Sequence, residues 1–158
     1  MIIRAFETKD AAAVSALIRH TMAVSNSKDY AALRLQLLID YFSPAKVLQL
    51  NQERHCFVAE IDNLVIGTGA LEGAELCTFF IHPDYQKMGI GARLLGAIEA
   101  LARQQGLARI TVDASLTGEP FYTRMGYRRT GLDREGTAGQ QIGMEKRLDG
   151  LTDGIAED

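Results

Sequence analysis

The sequence predicts a mixed α/β fold on three observations. Residues 55–81 contain three short runs of strand-forming residues separated by two-residue turns. The segments on either side repeat apolar residues at three- and four-residue spacing, the period of a half-buried helix. Glycines stand where several of those helical segments must stop.

In chain order, residues 1–7 read as a first strand. Thr8 is placed to cap a helix carrying Val14, Leu17, Ile18 and Met22 on one face. Tyr30, Leu33, Leu37, Leu38, Tyr41 and Phe42 repeat that spacing in a second helix, read as mainly core. Ser43-Pro44 is an N-cap followed by a proline at the first helical position, opening a short helical piece near 44–50. Residues 55–61, 64–71 and 74–81 are the three strands. Asp62-Asn63 and Glu72-Gly73 suit tight hairpin turns, so the three form an antiparallel meander.

After Pro83 the pattern returns to helix, with Ile90, Leu94, Leu95, Ile98 and Leu101 on one side and Gly106 to end it. Residues 109–113 form a strand and 120–125 a short helix stopped by Gly126; 127–132 and 141–148 supply the last strands. Residues 1–148 are read as one domain and the acidic stretch 149–158 as a frayed tail.

Composition narrows the function classes. Seventeen basic and twenty acidic side chains give 158 residues a net charge of −3, which offers no support for a broad nucleic-acid-binding face. No apolar run approaches the ~18 residues of a membrane span, and no secretory signal is visible. Cys56 and Cys77 form no CxxC pair, so neither a disulfide framework nor a zinc site is expected. The expectation is a soluble, cytoplasmic protein with no metal and no nucleic-acid or membrane partner.

The informative stretch runs from Phe79 to Leu95. An apolar strand stops at His82-Pro83, and Gln86-Lys87-Met88-Gly89-Ile90-Gly91 leads directly into an amphipathic helix. The first turn of such a helix has backbone N–H groups without intrahelical partners, and its dipole adds partial positive charge. Gly89 and Gly91 let an anion approach the backbone, and Gln86 and Lys87 could supply a donor and a cation. No Lys-Ser/Thr follows the glycines, so this is no Walker loop; Leu94 replaces the third glycine of a dinucleotide fingerprint.

The Gln-x-x-Gly-x-Gly loop after a His-Pro strand end resembles the acyl-CoA-binding signature of the GNAT superfamily of N-acyltransferases. Phe121-Tyr122-Thr123-Arg124-Met125-Gly126-Tyr127 resembles that family's second signature, Phe-Tyr-x-x-x-Gly-Tyr/Phe. The resemblance implies a central, largely antiparallel sheet of about seven strands with a splayed parallel pair, flanked by about four helices.

It also implies acetyl-CoA as co-substrate. The pantetheine arm would lie against exposed backbone groups of Phe79, Phe80 and Ile81. The pyrophosphate would rest on the N–H groups of Lys87, Met88, Gly89, Ile90, Gly91 and Ala92. Ser115 stands where many relatives carry an asparagine that contacts the cofactor arm, a contact a hydroxyl reproduces only in part. Homodimers occur in the family, but no feature of this sequence establishes one.

Acyl transfer to an amine needs a neutral amine and a thiolate that can leave. Holding a lysine-like amine neutral at pH 7 costs about 4.5 kcal/mol, so a base or water relay helps. The resemblance makes Tyr122 the general acid; alternatively its ring only packs over the sulfur or into the core. Glu75 is the candidate base, because strand alternation would put it on one face with Cys77, Phe79 and Ile81. Its alternative is a solvated carboxylate at a hairpin turn. Glu72 and Glu119 are weaker candidates. His82 suits a structural hydrogen bond, Cys77 a buried inert thiol, and Gly67-Thr68-Gly69 a bulge or a close packing contact.

The resulting expectation is direct acetyl transfer, in a ternary complex, to a small-molecule or peptide amine. Its rival is a catalytically silent CoA-binding sensor or interaction module.

Overall fold

A computed structural model describes residues 1–136 and 139–149. Its elements are β1 (Ile2–Ala5), α1 (Ala11–Ser25), α2 (Ala32–Tyr41), α3 (Pro44–Asn51), β2 (His55–Ile61), β3 (Leu64–Glu72), β4 (Glu75–Ile81) and α4 (Ile90–Gln104). They continue with β5 (Arg109–Ala114), α5 (Glu119–Arg124), β6 (Arg128–Arg129), β7 (Arg134–Gly136) and β8 (Gly139–Arg147). The strands line up in the order β1-β2-β3-β4-β5-β8-β6, and β7 also pairs with β8. Every pairing is antiparallel except that of β4 with β5. No helix among the described residues is long and apolar enough to cross a membrane.

The meander forms as its turns dictate. Asp62 and Asn63 take φ of 50° and 65°, the left-handed pair that a two-residue hairpin requires. The next turn lies one residue later than expected, because Glu72 pairs with Glu75 across Gly73-Ala74. Helices cover both faces of the sheet. Leu94, Leu95 and Ile98 of α4 pack with Leu71, Leu76 and Ile110 on one face. Val14, Ile18 and Met22 of α1 pack with Val47 of α3 and Val58 on the other.

Three local expectations are corrected. Thr8 does not cap α1. Thr8–Asp10 is a 3₁₀ turn, and Asp10 accepts the Glu7 N–H at 2.7 Å while Arg4 grips it at 2.8 and 2.9 Å. The helix therefore begins at Ala11, behind a partly buried ion pair instead of a hydroxyl cap. In α2 no residue is buried: Leu33, Leu37 and Tyr41 face outward, and Leu35, Leu38 and Ile39 make its inner side. Two apolar stripes were available to this helix, and packing against α1 selected one.

The strand expected over 127–132 shrinks to Arg128–Arg129 and a separate β7 follows, giving eight strands among the described residues. The break lies where Thr130 and Leu132 cross Gly143. A Cβ there would sit 2.7 Å from the Leu132 carbonyl oxygen and 2.7 Å from Thr130 Oγ1, so β8 can pass only with glycine. The tail expected over 149–158 lies, beyond Asp149, outside the described residues.

Candidate active site

β4 and β5 are joined only at Glu75–Thr111 and Leu76–Val112. β5 then continues to Ala114 against β8, while β4 continues to Ile81 against β3. The sheet is thus parted from Cys77 onward. Between Thr68–Phe80 and Ala70–Cys77, β4 spends one residue more than β3. Thr78 is within that extra step and has φ of 45°, a left-handed conformation unusual for a β-branched residue and characteristic of a bulge.

That bulge corrects two expectations. One inserted residue inverts every later side chain, so Phe79 and Ile81 do not share a face with Glu75 and Cys77. Their side chains lie against Gly69 and Gly67, on the α4 face, with Ile98 and Leu94. Cys77 pairs with Ala70, which lies with Val14, Ile18 and Phe42 on the α1 face. The second correction concerns Phe80. His82 N–H bonds the Ile66 carbonyl at 2.8 Å, which makes 66/82 and 68/80 the hydrogen-bonded pairs. Phe80 therefore spends its backbone groups on β3, and only those of Phe79 and Ile81 turn toward the opening.

Gly67 and Gly69 are close-packing positions. Cβ atoms there would stand 2.9 Å from Ile81 and 2.8 Å from Phe79 side-chain carbons.

At the wide end of the opening the chain turns into α4. Lys87 and Gly89 take φ of 62° and 81°, and Gly89 is the N-cap. Among the described residues no partner bonds the backbone N–H groups from Lys87 to Ala92; the first paired one is Arg93, to the Gly89 carbonyl at 3.2 Å. Space in front of Gly89 is open, with no atom within 4 Å of the place a Cβ would take, whereas a Cβ on Gly91 would meet Phe121 at 3.0 Å. Met88 is exposed while the Ile90 side chain is buried, so Ile90 anchors the turn from below. This is a concave run of free amides at the positive end of a helix dipole, chemistry that suits a phosphate group.

Tyr122 is 7% exposed and sits within an aromatic cluster. Its ring centroid lies 6.1 Å from Phe79, 5.2 Å from Phe121 and 5.7 Å from Tyr127. Burial raises the phenol well above its usual range, and the neighbouring Cys77 adds to the shift. Burial likewise pushes the Cys77 thiol up to about 11, the state of an inert thiol.

Glu75 is half-buried at the joined end of the opening. Loss of solvent raises its carboxyl, and Asp113, two residues beyond its partner Thr111 on the same face, raises it further. The other carboxylates are committed elsewhere. Glu72 pairs with Arg54 at 3.4 Å, and Glu119 is held by Arg129, which lowers its carboxyl.

Residues 26–148 match the family profile described as acetyltransferase (GNAT) domain. The chain belongs to the GNAT acetyltransferase family. An amino-acid acetyltransferase of Azotobacter vinelandii is 35% identical over 49% of this chain and 19% of its own length. A probable N-acetyltransferase 14 of Danio rerio is 29% identical over 48% of this chain and 30% of its own length. The match therefore spans less than a third of either relative.

Solved structures share the fold. A GCN5-related N-acetyltransferase of Rhodopseudomonas palustris superimposes with a TM-score of 0.82 at 23% identity, covering 92% of this chain and 94% of its own. The PaiA N-acetyltransferase of Thermoplasma acidophilum, in complex with coenzyme A, gives 0.80 at 22% identity, covering 92% and 98%.

Within this GNAT fold, several side chains have duties that the sequence did not reveal. The Gln86 amide does not face the free N–H groups. It donates to the Ile81 carbonyl at 2.9 Å and to Ser25 Oγ at 3.1 Å, tying α1 to the β4 lip. Ser115 Oγ accepts the Gly118 N–H at 3.0 Å and so holds the turn before α5; Asn26 reaches it at 3.4 Å. Asp29 accepts both the N–H and the hydroxyl of Thr117, at 3.2 and 2.9 Å. Ser25 and Asn26, adjacent in sequence, thus touch opposite lips of the opening. His82 Nδ1 accepts the Asp84 N–H at 3.1 Å, the structural bond expected of it. Spacing carries no signal for Ser25, Asn26 or Asp29, because their partners lie about 60–90 residues away.

Proposed function

We propose that this chain is an acetyl-CoA-dependent N-acetyltransferase that moves an acetyl group to a primary amine by direct transfer in a ternary complex. Residues 1–148 would be its catalytic unit. One observation carries the reading: a parallel strand pair that parts after Leu76 and opens onto a helix start whose amides have no partners among the described residues. A linear thiol arm ending in a diphosphate fits that combination. Phe79 and Ile81 would hold the arm through main-chain groups, and the N–H groups from Lys87 to Ala92 would hold the diphosphate. The CoA-bound PaiA structure has the same fold and supports the same class of ligand.

When bound, the co-substrate supplies an activated thioester carbonyl. Glu75 then accepts one proton from the attacking amine, directly or through water, as the new C–N bond forms. Tyr122 gives a proton to the sulfur as the C–S bond breaks; the thiol leaves with it, and solvent then takes the proton from Glu75 and supplies one to Tyr122. The Glu75 shift suits its role, since a carboxylate with a raised pKa is a stronger base. The buried Tyr122 phenol keeps its proton at neutral pH but is a weaker acid than a free phenol, so it gives that proton only to the full charge of the departing thiolate. The acceptor is a small-molecule or peptide amine; relatives named for amino acids and aminoglycosides support that breadth.

The test is thiol release from acetyl-CoA across a panel of amines. Release with at least one amine, abolished by omitting it, is expected. CoA binding with no release on any amine would overturn the reading in favour of a sensor.

A further inference from the structure

Behind the aromatic cluster lies a buried polar network that the transfer mechanism does not use. Glu99, on α4, is 6% exposed and accepts the Tyr127 hydroxyl at 2.8 Å through one oxygen. Its other oxygen takes the Lys146 ammonium of β8 at 3.1 Å. Lys146 also stands 5.8 Å over the Tyr127 ring. Gly126, with φ of 92°, turns the chain there, and even a Cβ at that position would come within 3.5 Å of Lys146 Cε.

Taking the Glu99 carboxylate out of water is costly, Lys146 is itself only half-buried, and an apolar replacement of such a pair is often as stable or more so. Core stability is therefore a weak explanation for the pair. Its location suggests another. The ring of Tyr127 meets Tyr122 edge-on, and the Tyr127 N–H bonds the Tyr122 carbonyl at 2.9 Å. Among the described residues nothing hydrogen-bonds the Tyr122 hydroxyl, so its position depends on the rings around it. Glu99, meanwhile, belongs to the helix whose N-terminus forms the anion cradle, about 14 Å along the axis from Ile90.

We propose that Glu99, Tyr127 and Lys146 form a positioning network that sets Tyr122 at a fixed distance from the anion cradle. This rests on the reading of Tyr122 as general acid. The cradle locates the cofactor and hence its sulfur; the network locates the proton donor relative to the same helix. Ring packing alone would leave Tyr127, and Tyr122 with it, free to shift by fractions of an ångström.

The test uses Tyr127→Phe, which keeps the ring, and Glu99→Leu, which leaves Lys146 free to reach solvent. Each is made alone and with Tyr122→Phe. Each single variant is expected to lower kcat about tenfold with unchanged CoA affinity by calorimetry, since small misplacements of a reacting group carry losses of this size. Glu99→Leu leaves the buried Tyr127 hydroxyl unpaired and should melt lower than the parent, so kcat is compared well below the melting temperature of every variant, where a loss of folding does not explain the fall. In the Tyr122→Phe background neither change should lower kcat further. An equal loss in both backgrounds, or an unchanged kcat in Tyr127→Phe beside a crippled Tyr122→Phe, overturns this proposal alone. A fully active Tyr122→Phe removes the acid reading and the network's role with it.

Discussion

Phe79 of β4 stacks on Phe121 of α5, with ring centroids 5.5 Å apart and planes inclined by 23°. The strand leading into the glycine loop and the second motif, joined by residues 42 apart, meet through this contact, and Gly91 completes it because a Cβ there would come within 3.0 Å of the Phe121 ring.

Gly91→Ala therefore pushes Phe121 as well as narrowing the cradle. CoA affinity is expected to fall about tenfold by calorimetry, with the fold retained by circular dichroism, since a contact of this kind typically costs about 1–3 kcal/mol. Gly89→Ala acts differently. Space is open there, but φ of 81° makes a Cβ unfavourable by roughly 1–2 kcal/mol. Denaturant unfolding should register that loss.

Glu75 must be deprotonated to act as a base. Because burial and then Asp113 raise its carboxyl, the acid limb of kcat/KM should lie above the ordinary glutamate value of about 4.3. Activity is lost as pH falls through that raised pKa. Asp113→Asn should move the limb downward, and Glu75→Gln should remove it. An acid limb that stays in place in Glu75→Gln would assign the base elsewhere.

Tyr122→Phe keeps the ring and deletes the hydroxyl proposed as proton donor. A fall in kcat of about a hundredfold is expected, with unchanged CoA affinity. Burial raises the phenol, so the parent protein should show no alkaline limb from Tyr122 below about pH 10. Unchanged kcat across pH in the variant would remove the acid role.

Asp10 links β1 to the start of α1 through Arg4 and the Glu7 N–H. Arg4 holds its carboxyl below the usual range, so its contribution is full above the unfolded-state value of about 3.9 and fades as pH falls through the folded value. Asp10→Ala should lower unfolding free energy by about 1–3 kcal/mol at neutral pH, because it leaves Arg4 and the Glu7 N–H short of a partner. Urea titrations at pH 7 and pH 3 should show the difference between parent and variant narrowing in acid.

Much of the architecture was legible because it depends on neighbours in the chain. Asp62-Asn63 make a hairpin whatever surrounds them, Ser43-Pro44 open α3 with the Ser43 hydroxyl accepting the Lys46 N–H at 3.2 Å, and Gly106 ends α4 with φ of 76°. The strand, glycine loop and helix from Phe79 onward carry the free-amide cradle for the same local reason. The α2 stripe was misread because periodicity reports that a face is apolar, not which neighbour will cover it.

By itself the sequence determined most of the order of elements and the free-amide start of α4, both consequences of backbone preferences acting over a few residues. Only the tertiary structure decided which face each side chain of β4 occupies, since the pleat has a period of two and one left-handed residue near Thr78 inverts everything after it. It also decided that Gln86 and Ser115 serve the lips of the opening and that Glu99 meets Tyr127. Those contacts join segments distant in the chain, and chain closure with packing creates them.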